Sequence, residues 1–169
     1  IHDYRFLVKL RDKGYEVYAV YLTECCKEYD VKGIESIFLS YNNYSKNSSL
    51  YNILLKKNLS RIKTFYKFKK LLKKIKPDIL HAGWTYTAGL MAAASNYHPF
   101  LFMPWGSDVL LSPKRSILYQ KLLKFVTSKA DMITCDAEIV KNQIIRLTNY
   151  TKEKIVVFPW GIDLELFHP

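Results

Sequence analysis

Phe102-Met103-Pro104-Trp105-Gly106-Ser107-Asp108 reads almost as a copy of Val157-Phe158-Pro159-Trp160-Gly161-Ile162-Asp163. Each segment sits on a short apolar run, Phe100 to Met103 and Ile155 to Phe158, and each closes in Pro-Trp-Gly-x-Asp. An apolar run of that length halted by Pro and Gly reads as a buried strand entering a loop. Open α/β sheets take their ligands outside the carboxyl ends of such strands. The pattern therefore places an indole, a glycine and a carboxylate twice where a ligand is expected.

Outward from these two strands the chain alternates. His2 to Lys13 predicts a helix with Phe6, Leu7 and Leu10 on one face and Gly14 as its stop. Glu16 to Thr23, β-branched and aromatic, predicts a strand, and Ile34 to Leu39 a second. After the Asn- and Ser-rich loop Tyr41 to Ser49, a long amphipathic helix is expected from about Leu50 to Lys76, with Leu55, Leu59, Ile62, Phe65, Phe68, Leu72 and Ile75 at helical spacing. Ile79 to Ala82 predicts a strand and Thr85 to Asn96 a helix of small residues able to pack closely on a sheet. Ser112-Pro113 predicts the start of a helix running to about Lys129. Asp131 to Cys135 predicts a strand, Asp136 the cap of a helix to about Leu147, and Glu153 to Phe158 the last strand. Such alternation is the mark of a doubly wound parallel α/β sheet. Gly14 to Val20 looks like the second strand of such a unit, so the first strand and its Gly-rich turn are missing from the pattern. Either residues upstream are absent or the sheet is depleted, and the first is the expectation.

The 169 residues suffice for one domain with a real core and not for two large ones. No apolar run approaches the roughly 20 residues a membrane span needs, and the polar start predicts no signal peptide. Cys25 and Cys26 are adjacent and Cys135 ends a predicted strand, so the spacing suggests reduced thiols and no metal site. The net charge of +11 is local. Tyr41 to Pro77 holds eleven Lys or Arg and no acid, while the remaining fifteen basic residues meet fifteen acidic ones. One segment thus carries the whole excess. The Asn-x-Ser/Thr matches at Asn43, Asn47, Asn58 and Asn149 are read as chance.

Five stretches, taken in order, resemble the N-terminal domain of the retaining GT-B glycosyltransferases of glycosyltransferase family 4 (group 1). They are Arg5-Phe6-Leu7-Val8-Lys9-Leu10 leading to Lys13-Gly14-Tyr15-Glu16-Val17, Lys76-Pro77-Asp78-Ile79-Leu80-His81-Ala82, Trp105-Gly106-Ser107-Asp108, Lys129-Ala130-Asp131-Met132-Ile133, and Lys154 to Asp163 continuing through Phe167 and Pro169. The resemblance implies one half of a GT-B fold: residues 1–158 as a Rossmann-like acceptor-side domain, N-terminally truncated, and 159–169 as the start of a linker to an absent C-terminal donor-binding domain. It implies that the full-length protein transfers a hexose from a nucleotide sugar to a saccharide or lipid-linked acceptor, and that this fragment alone is inactive. The nucleotide sugar is a co-substrate, with no cofactor and no metal expected. There are departures: the family often carries His at the positions of Trp105 and Gly83, and Tyr15 replaces its more usual His.

The expected substrate-binding residues are His81, Trp84, Thr85, Trp105, Gly106, Ser107, Asp108, Asp136, Glu138, Gly161 and Asp163. Asp108 is the best catalytic candidate, although an Asp in a turn also binds nearby backbone N–H groups. Trp105 offers an apolar face for a sugar ring or for packing under its loop. Asp136 and Glu138 are equally explained as a helix cap and a first-turn acid. Gly161 and Asp163 are expected to shape the linker.

Lys63, Lys67, Lys69, Lys70, Lys73 and Lys74 form either a solvated face or a surface for anionic membrane, the latter suiting a cytoplasmic enzyme peripheral to the inner membrane face. No nucleic-acid reading module accompanies them. Two rivals stand beside the transferase. One is a non-catalytic carbohydrate- or membrane-docking module of the same fold. The other is a nicotinamide-binding domain, which needs a Gly-x-Gly-x-x-Gly turn that does not occur here.

Overall fold

The apolar runs that decide the fold become the strands of two parallel sheets. The structure, a computed structural model, describes residues 2–22, 31–39, 50–159 and 161. Cys25, Cys26, the loop 41–49 with Asn43 and Asn47, Trp160, Asp163 and Phe167 lie outside the described residues, as do the side chains of Leu55 and Leu59. The chain divides into two compact units, Ile1–Ile75 and Lys76–Pro169.

In the first unit, helix α1 (His2–Asp12) ends at Gly14, whose φ of +84° only glycine adopts without strain. Strands β1 (Tyr18–Tyr21) and β2 (Glu35–Phe38) pair in parallel, with Tyr18 opposite Glu35. Ala19, Val31 and Ile34 form a small core backed by Leu7, Val8, Val17 and Tyr21. Helix α2 (Leu50–Ile75) stops at Lys76, which turns left-handed at φ +52°. Thr64, Phe68 and Leu72 are buried along one line of α2, and the lysines at 63, 67, 69, 70, 73 and 74 are all exposed. Ile62 is a correction to the expected apolar stripe: it is exposed, because the buried line runs 64-68-72 and residue 62 falls about half a turn away from it.

In the second unit, β3 (Leu80–Gly83), β4 (Phe100–Met103), β5 (Met132–Cys135) and β6 (Ile155–Val157) pair in that order, all parallel. The parallel α/β class expected from the alternation is the one observed. Parallel strands bury both faces, and β4 (Phe-Leu-Phe-Met) is accordingly apolar throughout. Phe100, Phe102, Ile133 and Ile155 meet Ala92, Ala93, Leu123, Val126, Val140 and Ile144 from the helices around them. The small-residue helix begins as one π-helical turn, Thr85–Gly89, and continues as α3 (Leu90–Ser95). Gly89 permits this contact: a Cβ there would lie 3.0 Å from the Phe102 ring and 3.1 Å from the Trp84 carbonyl.

Two helix starts differ from expectation. A short helix, α4 (Ser107–Leu110), precedes Ser112, and the single helix expected from Ser112 is two pieces, α5 (Ser112–Arg115) and α6 (Ile117–Lys129). Ser116 is extended (φ −164°, ψ 144°) and its Oγ accepts from Leu118 N at 3.1 Å, so Ser116 is the true cap of the long helix. Helix α7 (Glu138–Thr148) is preceded by Ala137, not capped by Asp136. The chain is still extended at Ala137 (φ −150°, ψ 146°), which places Asp136 one residue too early to reach the first turn.

Candidate functional site

Two strand ends are tied together by one carboxylate. β3 ends at Gly83, and Trp84 then takes φ 56° and ψ 109°, a left-handed setting that costs a bulky residue about 1–3 kcal/mol. Asp108, 0% exposed in the first turn of α4, holds this turn. Its Oδ2 accepts from Thr85 N at 2.8 Å and Thr85 Oγ1 at 2.7 Å, and its Oδ1 accepts from Trp105 N at 2.9 Å. Gly106, at φ +86°, supplies the turn that brings Asp108 back beneath Trp105. Three of the expected site residues therefore form one hydrogen-bonded knot. Both Asp108 oxygens and the Thr85 hydroxyl face protein, so the group presented outward is what the knot positions.

What it positions is aromatic. The Trp84 and Trp105 rings meet edge-on at 5.8 Å, Trp84 and Tyr86 at 6.4 Å, and Tyr86 and Tyr119 at 4.7 Å. Trp105 is 40% exposed, so the wall has an open face. Gly83 lies under it: a Cβ there would come within 2.6 Å of the Trp105 Nε1 and 3.2 Å of the Met103 carbonyl. The Tyr86 hydroxyl donates to the Asp108 carbonyl at 2.8 Å. Burial, and then the charge of Asp108, push the Tyr86 phenol up to about 12, so it remains a donor across the physiological range.

The register adds a second feature. β5 lies between β4 and β6, and neighbouring strands are about 4.8 Å apart. β4 and β6 thus deliver Pro104 and Pro159 at the same end of the sheet roughly 10 Å apart, with the end of β5 between them. Asp136 stands at that end, and its Oδ1 is buried with no hydrogen-bond partner among the described residues. A buried acceptor without a donor is costly, and a hydroxyl from a ligand is a donor.

The other expected residues are placed as follows. His81 lies within β3, two residues before its end, and is exposed. Ser107 opens α4 and Glu138 opens α7, both exposed. Gly161 is exposed at φ +66°, and Asp163 lies outside the described residues. Tyr86 and Tyr119 were not among the residues expected from sequence. Tyr86 adjoins Thr85 at a strand end and was visible in principle, whereas Tyr119 is 33 residues away on α6 and had no local signal. Burial pushes the Cys135 thiol up, which makes it a poor nucleophile. Among the described residues no group of three or more His, Cys, Asp or Glu could hold a metal ion.

Comparison with known proteins agrees with the motif order. A family model described as "Glycosyl transferase 4-like" matches residues 1–137. The chain belongs to the glycosyl transferase 4-like family. Among solved structures, the UDP-GlcNAc 2-epimerase of Neisseria meningitidis bound to UDP-GlcNAc superposes with a TM-score of 0.51 at 13% identity. The match covers 85% of this chain and 45% of the epimerase, so this glycosyl transferase 4-like chain spans less than half of that structure. At that identity the likeness is one of fold. A search of the curated proteins gave no match.

Proposed function

We propose that this chain forms the acceptor side of a sugar-nucleotide-dependent glycosyltransferase. The full-length enzyme moves a hexose from a nucleotide sugar to a saccharide or lipid-linked acceptor, with retention of anomeric configuration, in polysaccharide or glycolipid biosynthesis. The nucleotide sugar is a co-substrate, and no further cofactor takes part. The donor is held by a second, C-terminal domain, and the enzyme works at the cytoplasmic face of the inner membrane. The observation that carries this reading is the Trp84–Trp105 wall after the carboxyl ends of β3 and β4, together with the Asp136 oxygen at the end of β5 that has no partner among the described residues.

The chemistry of this half is positioning. An indole covers the apolar face of a pyranose ring, an interaction of about 1 kcal/mol beyond the area it buries. The Asp136 carboxylate accepts a sugar hydroxyl, a charged hydrogen bond of about 1.5–3 kcal/mol. Together they fix one acceptor hydroxyl toward the donor and turn a bimolecular step into an effectively unimolecular one. Asp108 and Thr85 are positioning residues: they act through Trp84 and Trp105.

The test uses the full-length gene product with a panel of nucleotide sugars, UDP-GlcNAc first, with and without saccharide and polyprenyl phosphate acceptors. Nucleotide release that depends on an acceptor is expected. Trp105→Ala is expected to raise the acceptor KM about tenfold, worth about 1.4 kcal/mol, with the donor KM unchanged. Acceptor binding without turnover on any donor would favour the docking module, and isomerisation of the nucleotide sugar without nucleotide release would favour epimerase chemistry. Either result overturns the proposal.

A further inference from the structure

A second stretch of this chain lacks any acid. From Val109 to Ala130 there are five basic residues, Lys114, Arg115, Lys121, Lys124 and Lys129, and no Asp or Glu. Outside this stretch and the basic segment Tyr41 to Pro77, ten basic residues face fifteen acidic ones, so the positive charge is confined to two places. On α6 the exposed residues other than Tyr119 fall on one stripe. At 100° per residue Ile117, Leu118, Lys121, Lys124 and Phe125 lie within about a third of the helix circumference, opposite the buried Leu123, Val126 and Thr127. Ile117 is 64% exposed, Leu118 59% and Phe125 38%, and Leu111 just before α5 is 53% exposed. Four large apolar side chains in solvent, interleaved with cations and free of acids, do not match a merely solvated face.

We infer that the α5–α6 segment docks on an anionic lipid surface, with Leu111, Ile117 and Leu118 entering the headgroup boundary and Lys114, Arg115, Lys121 and Lys124 meeting lipid phosphates. At 13 residues α6 is too short to span a bilayer and lies along the interface. Charge complementarity selects this occupant. A second copy seated on the same stripe would set Lys121 and Lys124 against themselves. Ile117 and Leu118, the most exposed apolar side chains of the stripe, are aliphatic and offer no stacking surface to nucleic-acid bases, and Phe125 is the single ring on it.

The contact has a consequence for the site. Tyr119 belongs to the first turn of α6 and its ring meets Tyr86, which meets Trp84. Tyr119 lies about 160° around α6 from the centre of the stripe, so docking through α6 sets the aromatic wall behind the helix, about 10 Å back from the lipid, within reach of the sugar of a lipid-linked acceptor. That consequence rests on the transferase reading, whereas the lipid contact itself does not.

The experiment is flotation of the full-length protein with phosphatidylglycerol–phosphatidylcholine vesicles and with pure phosphatidylcholine vesicles, without any sugar substrate. Binding to the anionic vesicles alone is expected. Ile117→Ser/Leu118→Ser and Lys121→Glu/Lys124→Glu should each weaken it about tenfold or more. All four side chains are exposed, so circular dichroism and thermal unfolding should stay those of the wild type. Lys73→Glu/Lys74→Glu on α2 is the comparator that separates the two basic surfaces. The inference fails if both α6 variants float like the wild type, if phosphatidylcholine binds equally, or if the α6 variants lose self-association in sedimentation while vesicle binding was never present. Because no donor or acceptor is present, these failures are independent of the transfer assay.

Discussion

Trp105 and Gly83 are one feature written at two places in the chain. The indole occupies the space a side chain at residue 83 would need, with its Nε1 only 2.6 Å from the position of a Cβ there. In sequence, the absence of the family's usual histidines at these positions reads as two separate departures. Structurally the small residue makes room for the large one, and no local pattern reveals that pairing across 22 residues. Gly83→Ala is expected to push the indole out of register with Trp84, at about 1–3 kcal/mol from overpacking. Thermal unfolding should show the loss, and the acceptor KM should rise. Gly83→Ala/Trp105→Ala should recover most of the stability of Trp105→Ala alone, since the clash is gone. A fully additive double-mutant cycle would show that the two do not touch. Asp108 carries the opposite lesson. Its place in the loop was legible and two roles were open to it, but only the three donors around it decide between them.

At the scale of elements, the strands and the starts of α1 and α2 were legible, and the starts of α6 and α7 were not. β4 was found at its observed bounds because four consecutive apolar residues between Pro99 and Pro104 admit little else. Ser112-Pro113 is the strongest local start signal in its region, and the chain does begin a turn there, but only one. The long helix restarts at Ser116, because Pro113 is buried and its carbonyl accepts from Gln120 Nε2 at 2.9 Å, fixing α5 and α6 as separate pieces. Two serines four residues apart are equal candidates by propensity, and tertiary packing chooses. Ser116→Ala is expected to cost about 1 kcal/mol, as N-cap losses do. Urea unfolding should show a lower midpoint with an unchanged slope. An equal loss from Ser112→Ala and none from Ser116→Ala would return the cap to Ser112.

Across the whole molecule, charge and stability follow different residues. Sixteen of the 26 basic residues lie in two acid-free segments, Tyr41 to Pro77 and Val109 to Ala130, and among the described residues no helix is long and apolar enough to cross a membrane. The Tyr41 to Pro77 surface was legible as a run, but the α6 stripe was not, because its apolar members read as core until burial separates Ile117 and Leu118 from Leu123 and Val126. Stability, by contrast, is tied to an acid. In sequence Asp131 stands out only as part of a motif, whereas in the fold it fastens the start of β4 to the start of β5. Its Oδ2 accepts from Phe100 N at 2.6 Å and lies 2.7 Å from His98 Nδ1, while Asp131 N donates to the Phe100 carbonyl. Burial alone would raise its pKa, but the Phe100 N–H, His98 and Lys154 together hold it below the ordinary 3.8. A carboxyl depressed in the folded state stabilises above its unfolded pKa, and that stabilisation is lost as pH falls through the folded value. Asp131→Asn should therefore lower the melting temperature near neutral pH, where the carboxylate contact is complete. The gap from the wild type should close as pH falls below about 4, because the wild-type carboxyl then also becomes neutral. Melting curves taken from about pH 6 down to about pH 2.5 measure it. A gap of constant size across that range would mean that Asp131 acts through shape alone, and the charged fastening between β4 and β5 would have to be given up.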